Sequence, residues 1–231
     1  MSVRYEGKWG AVGPKFQPVL VDRSHRGNSE ERVLISDGVT AQEHFGKGGK
    51  KAVLRGHGAV SVLYNGKPAD ATEVKHAAAL VADAYALFLM GPHYFQRPGV
   101  VLSMDGEADV EGGRCDRVLA VLRPGFGEAK EDRVVLFLDR DTHVLRRVHF
   151  TLNGLESTQG AEVDVTMKAH RRLHGVLWPV EWDERIRVPF DLHAHHWSLT
   201  GIDINRGLTK ADVQPGTWST RAAKPAANLL P

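Results

Sequence analysis

Hydrophobic and polar residues alternate along most of this chain. Residues 161 to 169, AEVDVTMKA, put Ala161, Val163, Val165, Met167 and Ala169 on one face and Glu162, Asp164, Thr166 and Lys168 on the other, the period of a half-buried strand. Residues 133 to 150, RVVLFLDRDTHVLRRVHF, predict a hairpin turning through Asp139 to Thr142. Its first arm is apolar on both faces, so a central place in the sheet is expected for it. In HGVLWPVEW and beyond, Val176, Trp178, Val180 and Trp182 share one face, continued by Ile186 and Val188. Pro179 removes one ladder donor, which predicts a bulge, bend or edge position there. In HWSLTGIDIN, residues 196 to 205, the apolar phase switches at Gly201, as a β-bulge would make it do. Further strands are expected at 3 to 9, 17 to 23, 31 to 36, 39 to 45, 51 to 55, 59 to 64, 99 to 104 and 115 to 122.

One segment has a different period. DATEVKHAAALVADAYALFLM, 70 to 90, is apolar almost all round, with Val74, Ala77, Val81, Ala84, Tyr85 and Phe88 on one stripe and Leu80, Leu87 and Leu89 widening it. Asp70 and Glu73 stand as in a capping box, and Gly91-Pro92 supplies a stop. Such a helix needs cover on several sides and is long enough to cross a sheet. Asp83, Gly91 and Pro92 argue for a buried helix, so no transmembrane segment is expected. The fold class is mainly β (α+β): a large curved antiparallel sheet or half-barrel of about ten strands wrapped around one apolar helix. One domain is expected over 1–218, with 219–231 a loosely attached tail.

Composition narrows this picture only a little. A chain of 231 residues with 42% hydrophobic and 25% charged residues has enough apolar material for a core. Thirty basic against 28 acidic residues give a formal charge of +2, too weak a field to point to nucleic acid. Cys115 stands alone, which excludes an intrachain disulfide.

The succession FLDRDTHVLRRVHFTLNG, EVDVTMKAHRRLHGVLWPVEWDERI and HHWSLTGIDINRGL resembles the lipoprotein-carrier superfamily, the LolA/LolB-like unclosed β-barrels. Asp139 with Thr142, Arg146 with Arg147, Gly175 with Pro179, and Asn205 occupy that family's turn, strand and strand-end positions. The likeness covers residues 130 to 210. It implies a half-barrel around helices with an apolar cavity for acyl chains, a periplasmic location, and peripheral contact with membranes or lipoproteins. The first ten residues, MSVRYEGKWG, hold no apolar core of the length an export signal has, so a chain starting at Met1 is expected in the cytoplasm.

Trp178 and Trp182, with Val176 and Val180, are candidate cavity walls, because large rigid aromatics commonly line pockets. Trp197 joins them, with Leu80, Tyr85 and Phe88 of the helix as the far wall. The same residues also suit plain core packing. DLHAHHW holds the densest of the twelve histidines: on a regular strand His193 and His195 point the same way, with Asp191 as a third donor, a spacing able to chelate a metal. A solvated polar face explains it as well. GKGGKK at 46 to 51 reads as a basic turn, and DGEADVE at 105 to 111 as a solvated turn. No nucleophile elbow, HExxH or dinucleotide fingerprint is present, so no catalytic residue and no cofactor is nominated. The function expected is a non-enzymatic carrier for a hydrophobic small molecule or acyl chain. The alternatives are a metal-dependent hydrolase using 191 to 196 and a partner-binding module acting through an open sheet edge.

Overall fold

The structure, a computed structural model, describes residues 1–214 and 218. The tail expected at 219–231 lies outside the described residues. Thirteen strands form one sheet. The first six are β1 (Ser2–Trp9), β2 (Asn28–Leu34), β3 (Val39–Gly46), β4 (Gly49–Gly56), β5 (Ala59–Tyr64) and β6 (Lys67–Pro68). The other seven are β7 (Val100–Val110), β8 (Gly113–Leu122), β9 (Asp132–Asp139), β10 (Leu145–Thr151), β11 (Glu162–Leu173), β12 (Val176–Val188) and β13 (Leu192–Asp203). Each half is a meander, and antiparallel pairing of β1 with β13 joins them in the middle. β6 and β7 are therefore the two outer strands, and the sheet does not close.

That topology dictates the position of the long helix. The chain must pass from one outer edge to the other, and α3 (Thr72–Met90) makes the connection. Its 19 residues span about 28 Å, enough to cross the concave face. Ala77 to Leu80, Ala82, Ala84, Tyr85 and Leu87 to Leu89 are buried, as an all-round apolar helix requires. The expected capping box is absent: Ala71 is the N-cap, and Asp70 pairs with Lys75 instead. Asp83, the one acid in the apolar stretch, accepts two hydrogen bonds from the Arg55 guanidinium (3.1 and 2.9 Å) and one from the Gly127 N–H (2.8 Å). These bonds tie the helix to β4 and to the β8–β9 loop.

Strand details follow the local chemistry. The β9–β10 turn is held by Asp139, whose carboxylate accepts from the Thr142 N–H and hydroxyl and from Arg146; these bonds bring its pKa down to about 2. β9 itself lies third from the β7 edge rather than centrally; Val134 and Leu136 are buried, whereas Val135 and Phe137 on its other face are half-buried. Pro179 falls where β12 has β11 as a neighbour but has not yet met β13, and the β11–β12 register shifts beside it. Pro179 thus stands where the strand has a neighbour on one side alone, the edge-like position a proline tolerates. The phase switch near Gly201 is a register shift against β1, where Arg4 faces Gly201 and Tyr5 faces Leu199. Residues 105 to 110, read as a turn, continue β7 past a bulge after Met104, and the reversal comes at Glu111-Gly112.

The strand expected at 17 to 23 is not formed. Two short helical turns stand there, α1 (Gly13–Phe16) and α2 (Pro18–Val21). Pro14 and Pro18 each sit in a first turn, where the fixed φ suits a helix and the missing donor is no loss. The apolar run PVLV is too short to hold a strand against them.

Candidate functional site

α3 does not fill the concave face. Between it, the β12–β13 end of the sheet, the 150–161 segment and the α1–α2 cover lies a cavity of about 450 Å³. Leu80, Val81, Ala84, Tyr85 and Phe88 form its helix wall, Ile186, Leu192 and Ala194 its sheet wall, Phe150, Leu152 and Ala161 its side, and Phe16, Leu20 and Val21 its cover. The cavity opens at a rim where Phe16 is 70% exposed and Phe190 62%. Across that mouth the Gln17 side chain donates to the Ser157 carbonyl (2.7 Å), and the Ser157 hydroxyl donates to Gln17 Oε1 (3.1 Å). The pair links the cover to the opposite loop.

The inner end is polar. Trp9, Arg26 and Tyr85 border both this cavity and a smaller one of about 20 Å³, room for a single water. Trp9 stacks on His195 at 3.8 Å, His195 on Trp197 at 4.8 Å, and Trp197 on Trp182 at 5.6 Å, forming one column of rings. Gly7 permits it, since a Cβ there would stand 2.6 Å from His195 Nε2. Burial lowers the pKa of His195 and His44, and the nearby Arg26 charge lowers both further, so both are neutral. Burial also raises Glu31 and Glu184 to about 7, although Arg26 draws both the other way. Glu184 borders the cavity.

The nominated residues divide between this cavity and the core beside it. Leu80, Tyr85 and Phe88 line the cavity. Trp178, Val180, Trp182 and Trp197 are buried in the main hydrophobic core instead. Trp182 donates its indole N–H to the Phe88 carbonyl and meets Tyr5 edge-on at 5.8 Å, and Trp178 donates to the Leu173 carbonyl. Val176 begins β12 just after the Gly175 turn and is 44% exposed. Lining residues that the sequence did not nominate include Trp9, Phe16, Leu20, Arg26, Ile186 and Glu184. For Phe16 and Leu20 the signal was the Pro14-x-x-x-Pro18 spacing, which marks two helical turns; Trp9, Arg26 and Glu184 carried none.

The His193/His195 pairing fails for a geometric reason. Glu184 faces His195 while Arg185 faces His193, so Ala194 is an extra, bulged residue. The bulge changes the phase of the strand: His195 is buried in the ring column, whereas His193 is exposed and bonded to Asp183 at 2.9 Å. Asp191 pairs with Arg185 and Arg187. Among the described residues no group of three or more His, Cys, Asp or Glu side chains is arranged to hold a metal.

A wide antiparallel sheet curled around one helix without closing, with an apolar cavity left between them, is an unclosed β-barrel. Among solved structures the chain is similar to a LolA superfamily protein from Nitrosomonas europaea, with a TM-score of 0.62 at 9% identity over 92% of this chain and 89% of that one. A DUF1329 family protein from Desulfovibrio piger (TM-score 0.46, 11% identity, 94% and 90% covered) superposes more loosely. The same holds for a Vibrio parahaemolyticus domain described as an outer membrane lipoprotein-sorting protein (0.46, 8% identity, 92% and 88% covered). No family model matches the chain, and no curated protein matches it in sequence. The chain thus shares the fold of that LolA superfamily protein, an unclosed β-barrel, as the succession over residues 130 to 210 suggested.

Proposed function

We propose that this protein is a non-enzymatic carrier that holds a hydrophobic, acyl-like ligand between α3 and the sheet. The observation that carries the reading is the cavity: about 450 Å³, walled by aliphatic and aromatic side chains, and open at an apolar rim. That volume is within the usual range for small-molecule sites. At ~30 Å³ per water-sized group it takes on the order of fifteen such groups, one alkyl chain rather than a multi-chain lipid. Burying ~250 Å² of alkyl surface at about 25 cal/mol per Å² contributes roughly 6 kcal/mol before ordering costs. Leu80, Tyr85 and Phe88 are the nominated residues that contact the chain in this reading. Trp178, Val180, Trp182 and Trp197 hold the wall rigid behind it.

The exposed Phe16, Val188 and Phe190 at the mouth suit contact with a membrane surface or a lipoprotein that delivers or accepts the ligand. The shared fold supports a periplasmic setting for such traffic. Native mass spectrometry after incubation with dodecanoate tests the carrier reading. A one-to-one complex is expected; a protein that stays ligand-free at every concentration overturns it.

A further inference from the structure

Arg26 is 8% exposed and stands where the apolar cavity meets its polar end. Its guanidinium lies over the rings of Trp9 (4.9 Å) and Tyr85 (5.5 Å), and one N–H donates to the Leu20 carbonyl at 2.9 Å. A guanidinium has five N–H donors. The other buried cations of this half of the sheet have carboxylate partners, Lys51 with Asp22 at 2.9 Å and Arg32 with Glu30 at 3.8 Å, as does the half-buried Arg55 with Asp83 at 2.9 Å. Arg26 forms no such pair within 4.0 Å among the described residues.

The groups packed around Arg26 do not compensate it fully. From β2 comes Glu31, bonded to Gln42 at 2.9 Å, and from β12 comes Glu184. Burial holds both acids partly protonated near neutral pH. From β3 and β13 come His44 and His195, both neutral. Asp22 is already engaged by Lys51, Tyr64 (2.6 Å) and His25 (3.1 Å). A buried charge without a full partner is costly, and an arriving anion would relieve that cost.

We infer that the cavity selects a single-chain carboxylate, such as a fatty acid, bound head-first with its carboxylate on Arg26 and its chain along Leu80, Ala84, Phe88 and Ile186 toward the exposed rim. This rests on the carrier reading above. The planar fork of a guanidinium matches a carboxylate in two parallel hydrogen bonds, and the water-poor site strengthens them. Glu31 and Glu184 compete with that carboxylate once both are ionised, so the preference is greatest below pH 7.

The test is an equilibrium titration at pH 6.5 of wild type, Arg26→Gln and Arg26→Lys with dodecanoate and with dodecan-1-ol. Wild type should bind dodecanoate roughly tenfold or more tightly than the alcohol. Arg26→Gln should lose that preference while still binding the alcohol, which also shows that the variant is folded, and Arg26→Lys should retain part of it. Equal affinity of wild type for the two ligands overturns the headgroup assignment and leaves the carrier reading standing. A preference that survives in Arg26→Gln overturns the role of Arg26. Binding of neither ligand to wild type overturns the carrier reading, and this inference with it.

Discussion

Trp182 separates a core wall from a ligand contact, and its removal has a calculable cost. The indole is fully buried, stacks on Trp197 across the β12–β13 pair, and meets Tyr5 edge-on. Its N–H donates to the Phe88 carbonyl at 3.3 Å. That carbonyl lies in the last turn of α3, and its helical partner four residues on would be Pro92, which has no N–H. Trp182 thus supplies the donor that the proline withholds. Trp182→Phe keeps a ring but leaves the carbonyl without its donor, a loss of about 1–3 kcal/mol. Trp182→Ala also opens a cavity and removes two ring contacts, for a total of about 3–5 kcal/mol. Urea unfolding reads both, with the midpoint moving at constant slope. Because Trp182 does not border the cavity, dodecanoate affinity of Trp182→Phe should stay within about twofold of wild type. A Trp182→Ala loss under ~1 kcal/mol, or a tenfold loss of ligand affinity in Trp182→Phe, would refute the placement.

Three further outcomes are expected. Asp83→Ala leaves Arg55 buried without its two carboxylate bonds and should cost about 3 kcal/mol in a urea or thermal melt. Glu184 has its pKa raised to about 7 by burial, so the native state binds its proton more tightly than the unfolded chain does, and stability is lost as pH rises from the unfolded value of about 4.5 through 7. Glu184→Gln should therefore match wild type below pH 4.5 and gain on it up to pH 7, levelling off at about 3 kcal/mol; a constant difference across that window contradicts the assignment. Gln17→Ala removes both bonds across the cavity mouth and should speed ligand release several-fold in stopped-flow displacement, with little change in melting temperature.

The sheet was legible because strands with one dry face carry a period of two, as in residues 161 to 169, and because the only strongly helical segment is also the only one apolar all round. The site was less legible. Its floor is a bulge at Ala194 that reverses which histidine faces inward, and a bulge of one residue leaves no mark in a stretch such as HAHH, where either phase is acceptable. Its cover was read as a strand because PVLV is apolar, although Pro14 and Pro18 were the better guide to two helical turns. Trp182 and Trp197 are buried in the core, and the alternation that puts a residue on the inward face does not separate core from cavity. Which of the two depends on how far α3 reaches along the sheet, and hence on the tertiary crossing from β6 to β7.

The central claim is that an acyl chain occupies the space beside Ala84 under the α1–α2 cover. The most direct test is a fluorescence titration of wild type and Ala84→Leu with 11-(dansylamino)undecanoic acid. Ala84 borders the cavity, so the larger side chain fills part of that space rather than crowding a packed core. The account predicts saturable one-to-one binding to wild type, displaced by dodecanoate, and at least about tenfold weaker binding to a folded Ala84→Leu. Binding that never saturates, or that is the same in both proteins, would contradict it.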